Sequence, residues 1–147
     1  MKLEDEIMQK KFKSEHHKLI VNIIFTGNWV NASSIKFLKR FGISPQQYNL
    51  MRILRGRHPE SASITLLTER MLDKMSNASR LVEKLKKKEL VERIECPHDR
   101  RKVEVSINEK GLELLKEIDG NENEKNFKNL SVAEAKQLNI LLDKFRG

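Results

Sequence analysis

Asn77, Ser79 and Arg80 form a short run of side chains that can make directed hydrogen bonds, and Ser76 stands directly before them. Arginine can bind guanine O6 and N7 through two parallel bonds, and asparagine can pair in the same way with adenine. Lys84 and Lys87 follow one and two turns later and suit contacts to phosphate. The same residues also fit an ordinary solvated surface, on which Arg80 pairs with Glu83 or Asp73. Catalytic chemistry has less to work with. His16, His17, His58 and His98 are scattered, and neighbouring histidines on a helix point about 100° apart, so they make no zinc pair of the HExxH kind. Nucleophile-elbow, phosphate-loop and dinucleotide fingerprints are lacking. Cys96 is the single cysteine, which excludes an intrachain disulfide or a thiolate zinc cluster. Neither an enzyme nor a cofactor or metal is expected.

A helix can present residues 76–87 only if its other face is anchored. Ala78, Leu81, Val82 and Leu85 recur at i, i+3, i+4 and i+7, so the spacing predicts a helix capped by Ser76 and running to about Lys88. Before it, residues 15–41 read as a long helix with Leu19, Ile23, Val30, Phe37 and Phe41 near one face, stopped by Gly42. Ser44, Pro45 and Gln47 encode a capped start, with Ile43 and Tyr48 as a hydrophobic staple. That helix ends near Arg55, residues 56–63 form a loop, and Ile64–Leu72 is a short helix. The period then changes to two. Residues 91–94 and 103–107 read as strands around a turn at Pro97–Arg100, with Arg100, Arg101 and Lys102 at or just beyond its tip. Two strands are not stable alone, so the hairpin must lean on the helices. Asn108 caps a helix with Leu112, Leu115 and Ile118. Residues 119–124 read as a linker or a kinked stretch. Ser131 and Glu134 make a second capping box before a stripe of Leu138, Leu141, Leu142 and Phe145.

Charge is distributed unevenly. The formal net charge is +8. Residues 36–57 carry six bases and no acid, and residues 84–102 carry eight bases against four acids, whereas residues 111–147 carry six against seven. One basic sector favours a polyanion, although charge alone does not separate DNA from RNA or anionic lipid. RNA is disfavoured because no aromatic pair suited to base stacking is evident. No stretch is apolar enough for a membrane span and the start is unlike a signal peptide, so a cytoplasmic location is expected.

Short helices followed by a basic-tipped hairpin make the order of a winged helix-turn-helix, with the second helix of the motif in the major groove. The hairpin would place Arg100 or Arg101 at the adjacent minor groove, where narrow A·T tracts concentrate negative potential. Asp99, two residues before Arg101, would hold that arginine rather than touch DNA.

The stretch SNASRLVEKLKKKELVERIECPHDRRKVEVSINEKG, Ser76–Gly111, resembles the recognition helix, wing and next helix start of the MarR family of bacterial regulators. The family's wing pattern matches Asp99, Arg101 and the valine-rich 103–107. SPQQYNLMRILRG and the terminal SVAEAKQLNILLDKFR resemble two further family segments. Two departures stand out: Glu89 where the family usually has glycine, and Thr68 where alanine is common. The resemblance implies a mainly α fold with a small β-hairpin wing, divided as 1–41 (extension and long dimerisation helix), 42–108 (winged DNA-binding domain) and 109–147 (C-terminal dimerisation helices). It implies a homodimer held through residues such as Leu19, Ile23, Leu138, Leu142 and Phe145. Such a dimer would bind an inverted repeat in double-stranded DNA as a repressor, released by a small-molecule effector whose identity no residue set reveals. The alternative is a non-specific architectural or protein-interaction module on the same fold.

Overall fold

The computed structural model describes residues 1–121 and 129–147, with the side chains of Cys96, Arg100 and Arg101 also outside the described set. In chain order the elements are α1 (Leu3–Glu6), α2 (Glu15–Leu38), a 3-10 turn (Lys39–Phe41), α3 (Pro45–Arg57), β1 (Ala62–Ser63), α4 (Ile64–Arg70), α5 (Ala78–Lys87), β2 (Val91–Cys96), β3 (Asp99–Ile107), α6 (Glu109–Gly120) and α7 (Val132–Arg146).

Most boundaries follow local chemistry. The long helix expected over 15–41 is α at Glu15–Leu38 and tightens into 3-10 geometry over its last three residues, where Gly42 turns the chain with a left-handed φ of 70°. Ser44 and Gln47 form the expected reciprocal cap, with Ser44 N–H donating to Gln47 Oε1 at 3.0 Å and Gln47 N–H to Ser44 Oγ at 3.1 Å. This helps Gln47 to be buried, because its side-chain oxygen accepts from the chain end it caps. Gly56 does not end α3, which continues to Arg57. Ser131 and Glu134 cap α7 as read, and the Ser131 hydroxyl and then its N–H hold the Glu134 carboxyl below its ordinary pKa.

Other expectations need correction. The span 56–63 is not all loop, because Ala62–Ser63 adds a strand to the hairpin, giving an antiparallel sheet in the order β1-β3-β2. A two-residue strand has no period to read. Buried Ala62, opposite Val105, marks it only once the fold is formed. The helix expected to Leu72 ends at Arg70, where Met71 is buried and extended, and Asn49 Oδ1 accepts from Leu72 N–H at 2.9 Å. The hairpin strands reach further than their alternation, leaving only Pro97 and His98 between them. Of residues 119–124, Asp119 and Gly120 complete α6 and Asn121 caps it, while 122–124 lie outside the described residues.

One core joins the elements from the end of α2 to α6. Leu50, Met51 and Leu54 of α3, Leu67 of α4, Val82 and Leu85 of α5, Val105 of β3 and Leu115 of α6 are all essentially inaccessible to water. Leu115 and Ile118 share this core with the winged elements, so it extends past residue 108. Arg55 Nη1 reinforces that packing with a 2.6 Å bond to Asp119.

The turn after α5 resolves what Glu89 does. Glu89 N–H donates to the Lys86 carbonyl at 2.8 Å and Leu90 N–H to the Leu85 carbonyl at 3.1 Å, the pattern of a Schellman cap. Glu89 therefore takes the left-handed position that suits glycine, with φ of 58°. The turn is built as in a glycine-bearing chain, and Glu89 takes the strain, which costs a non-glycine residue about 1–2 kcal/mol. Its ion pair with Lys110, at 3.3 Å between largely exposed side chains, offsets little of this. Glu89→Gly is therefore expected to stabilise the protein by about 1 kcal/mol, after the greater chain entropy of glycine is included. An unchanged or lower midpoint in urea denaturation at matched protein concentration would show that the turn carries no strain.

Candidate functional site

Helix α5 starts one residue later than its sequence suggests. The segment before it closes on itself, with Met75 N–H donating to Asp73 Oδ1 at 2.9 Å and Ser76 N–H to the Asp73 carbonyl at 3.1 Å. Ser76 is thereby part of the turn, and Asn77 becomes the cap, its Oδ1 accepting from Arg80 N–H at 3.0 Å. The inner face is fixed by Ala78, Val82 and Leu85, all buried against α3 and α4, with Leu81 partly buried.

The residues expected to read bases now separate. Ser79 and Arg80 are exposed on the outer face. Asn77 is also exposed, but capping and a two-bond adenine contact compete for the same oxygen. The Ser76 hydroxyl is buried with no hydrogen-bond partner. Arg80, Lys84 and Lys87 fall at i, i+4 and i+7, so they form one exposed stripe along α5. Arg80 does not pair with Glu83 or Asp73. Glu83 instead accepts from Arg93 Nη1 at 2.6 Å, and no ion pair among the described residues engages Arg80, Lys84 or Lys87.

A neighbouring lysine group was not legible from spacing. Lys39, at the end of the long helix, lines one open cleft of about 750 Å³ with Lys84, Lys87 and Lys88, and no acid is among the lining residues. Lys39 is 45 positions before Lys84 in sequence, and only the docking of α2 beside α3 and α5 unites them.

In the wing, Val91 pairs with Ile107, Arg93 with Val105 and Glu95 with Val103, after which Cys96 pairs with Asp99. One step along β2 thus matches four along β3, so residues 100–102 form an irregular excursion inside β3 rather than a simple tip. Lys102 and Asp99 are exposed. The expected groove contact of Arg100 or Arg101, the hold of Asp99 on Arg101, and any redox role of Cys96 depend on side chains outside the described residues.

A second cleft, of about 510 Å³, lies between α2, α3 and α6 and is lined by Phe37, Tyr48, Arg52, Leu72, Ile118 and Asp119 among others. The Arg52 guanidinium sits 5.7 Å from the Tyr48 ring centre. No group of three histidine, cysteine or acidic side chains able to hold a metal occurs among the described residues. Nor is any described helix long and apolar enough to cross a membrane.

Residues 41–102, from the end of the 3-10 turn to the first part of β3, match the MarR family. The winged domain is a MarR-family domain. Solved structures extend the likeness beyond it. A MarR transcription factor from Planctomyces limnophilus is 28% identical, with 92% of this chain and 98% of that chain covered at a TM-score of 0.69. A mutant MarR from E.coli complexed with operator DNA is 20% identical over 99% of each chain, with a TM-score of 0.74. An organohalide-sensing transcriptional regulator in its 2,4-dichlorophenol-bound form is 18% identical over 94% of this chain and 85% of that one, with a TM-score of 0.78. The last two likenesses concern the fold. Comparison with curated protein sequences gave no match.

The mainly helical architecture with a small antiparallel wing is thus that of MarR-type winged helix-turn-helix proteins, and the likeness supports a DNA-binding regulator of the general MarR type. Both departures from the family pattern are accommodated. Glu89 adopts the glycine-like turn, and the Thr68 hydroxyl donates back to the Ile64 carbonyl of its own helix at 2.9 Å.

Proposed function

We propose that two copies of the chain read an inverted repeat in double-stranded DNA and repress transcription by covering a promoter. The observation that carries this reading is the Arg80–Lys84–Lys87 stripe, engaged by no ion pair among the described residues, on a helix whose opposite face is locked into the core. Arg80 stands in the first turn, where a major-groove helix meets base edges, and the two lysines follow where phosphates pass. Twofold symmetry sets two such helices about 34–36 Å apart, one turn of duplex. The exposed apolar side chains of α2 and α7, including Leu19, Leu138 and Phe145, support the dimer, with half-buried Ile23 and Leu142 beside them. That a relative of the same fold binds operator DNA agrees with this reading. The cleft bearing Phe37, Tyr48 and Arg52 suits a small effector that changes the separation of the two recognition helices. The wing is proposed to contribute Arg101 or Arg100 and Lys102 to the flanking groove.

Selection from random duplexes tests the central claim. Arg80→Ala is expected to lose preference at one base pair per half-site, by about 1–3 kcal/mol. Lys84→Ala should weaken all duplexes alike and lower the salt slope by about one. Identical sequence preferences for wild type and Arg80→Ala would contradict base reading, and equal affinity of wild type for selected and random duplexes would favour the architectural alternative.

A further inference from the structure

Glu83 is the one acid between Ser76 and Lys88, and it stands on the helix that faces the polyanion, one turn after Arg80. A carboxylate there is repelled by phosphate and, left alone, weakens binding. It is not left alone. Arg93 of β2 donates to Glu83 Oε1 at 2.6 Å, with the two side chains 30% and 47% exposed. Arg93 shares the strand face of buried Val91 and lies opposite buried Val105, so its stem has a fixed origin. Helix α5 and strand β2 diverge from the short turn Lys88–Leu90. The pair bridges them six residues before that turn's centre at Glu89 and, measured by Arg93, four after it, where a tie resists any change in their angle.

We propose that Glu83 and Arg93 are a positioning pair: their bond sets the angle between recognition helix and wing, and with it the discrimination between target and non-target duplex. This rests on the base-reading function proposed for α5. Base contacts tolerate displacements of only about 0.5 Å, whereas phosphate contacts by long lysines adapt, so a loosened angle costs specificity more than affinity. An ion pair can bias that angle by no more than its own free energy. For a pair this exposed the specificity ratio should fall about fivefold, with little change in fold stability.

The two accounts of Glu83 differ in sign. If it is only an unfavourable surface charge, Glu83→Gln tightens binding to every duplex equally. If it positions the helix, the variant binds a scrambled duplex more tightly but a duplex selected by the wild type no more tightly, so the ratio drops. Affinities of wild type, Glu83→Gln, Arg93→Gln and the double variant for those two duplexes, at one salt concentration, decide between them. Arg93→Gln should weaken both duplexes through lost charge and show the same drop in ratio. The double variant should fall no further, because one bond is lost in all three. Arg93→Lys, which keeps the charge but loses the planar fork, should recover part of the ratio. Equal tightening on both duplexes by Glu83→Gln, or additive losses in the double variant, overturns the pair. A wild type without preference between the duplexes instead overturns the base-reading function and this proposal together.

Discussion

Gly111→Ala is expected to destabilise the protein by about 3 kcal/mol, although helix propensity alone predicts a gain. Gly111 lies in the first turn of α6, in an ordinary helical conformation, where alanine is normally better by about 0.5–1 kcal/mol. Sterics reverse the sign. A Cβ built at Gly111 falls 2.3 Å from the Leu90 carbonyl oxygen and 2.7 Å from Ile107 Cγ1. The oxygen belongs to backbone that cannot easily give way. Leu90 N–H is bonded to the Leu85 carbonyl, Asn108 Nδ2 donates to the Glu89 carbonyl at 2.7 Å, and Lys110 Nζ reaches the Lys88 carbonyl at 3.2 Å. Relief requires moving α6 away from the turn that joins the recognition helix to the wing, with a cost at the upper end of the range for overpacking. Gly56→Ala supplies the contrast, since a Cβ there meets nothing within 4 Å and the same helix-propensity gain should appear unopposed. Urea denaturation of both variants at one protein concentration checks the pair. A Gly111→Ala midpoint at or above that of wild type would mean that the turn is soft and the close approach unimportant.

This contact also shows why parts of the fold were legible in the sequence and others were not. Caps are local events, so Ser44 with Gln47, Asn108 with Gly111, and Ser131 with Glu134 declare their helices within four residues. The inner face of α5 is likewise a local pattern, and Ala78, Val82 and Leu85 are buried as their spacing predicts. Where two side chains compete for one role, sequence order does not choose. Ser76 and Asn77 are both good caps, and the turn closed by Asp73 gives the place to Asn77. Long-range features leave no period at all. The pairing of Ala62 with Val105, the bond from Arg93 to Glu83, and the meeting of Lys39 with Lys84 and Lys87 each depend on how elements dock. The exposed stripe of the candidate site was therefore readable, and the tie that orients it was not.

Deleting residues 131–147 is expected to convert a dimer into monomer or aggregate, with the largest loss of operator affinity of any change considered. No residue of α7 is buried in the single chain, and Leu138, Ile140, Leu141 and Phe145 are each about half exposed, at 46%, 58%, 55% and 51%. Helix α2 presents Leu19, Ile20, Ile24, Trp29, Val30 and Ile35 in the same condition. A helix the length of α7 is marginal in water unless an apolar face is covered, so its stability must come from packing that one chain does not provide. A second copy provides it symmetrically, because each protomer brings both the terminal helix and the long α2 face. The winged core, by contrast, draws nothing from α7 and should survive the deletion. The truncated chain would then hold one recognition helix per molecule. Losing the linked second half-site should reduce affinity for an inverted repeat by about 10²–10⁴-fold, while binding to an isolated half-site changes far less. Sedimentation and binding to full-site and half-site duplexes measure both effects. A well-folded dimer after the deletion would assign the interface elsewhere, and a monomer that keeps full-site affinity would separate dimerisation from DNA recognition altogether.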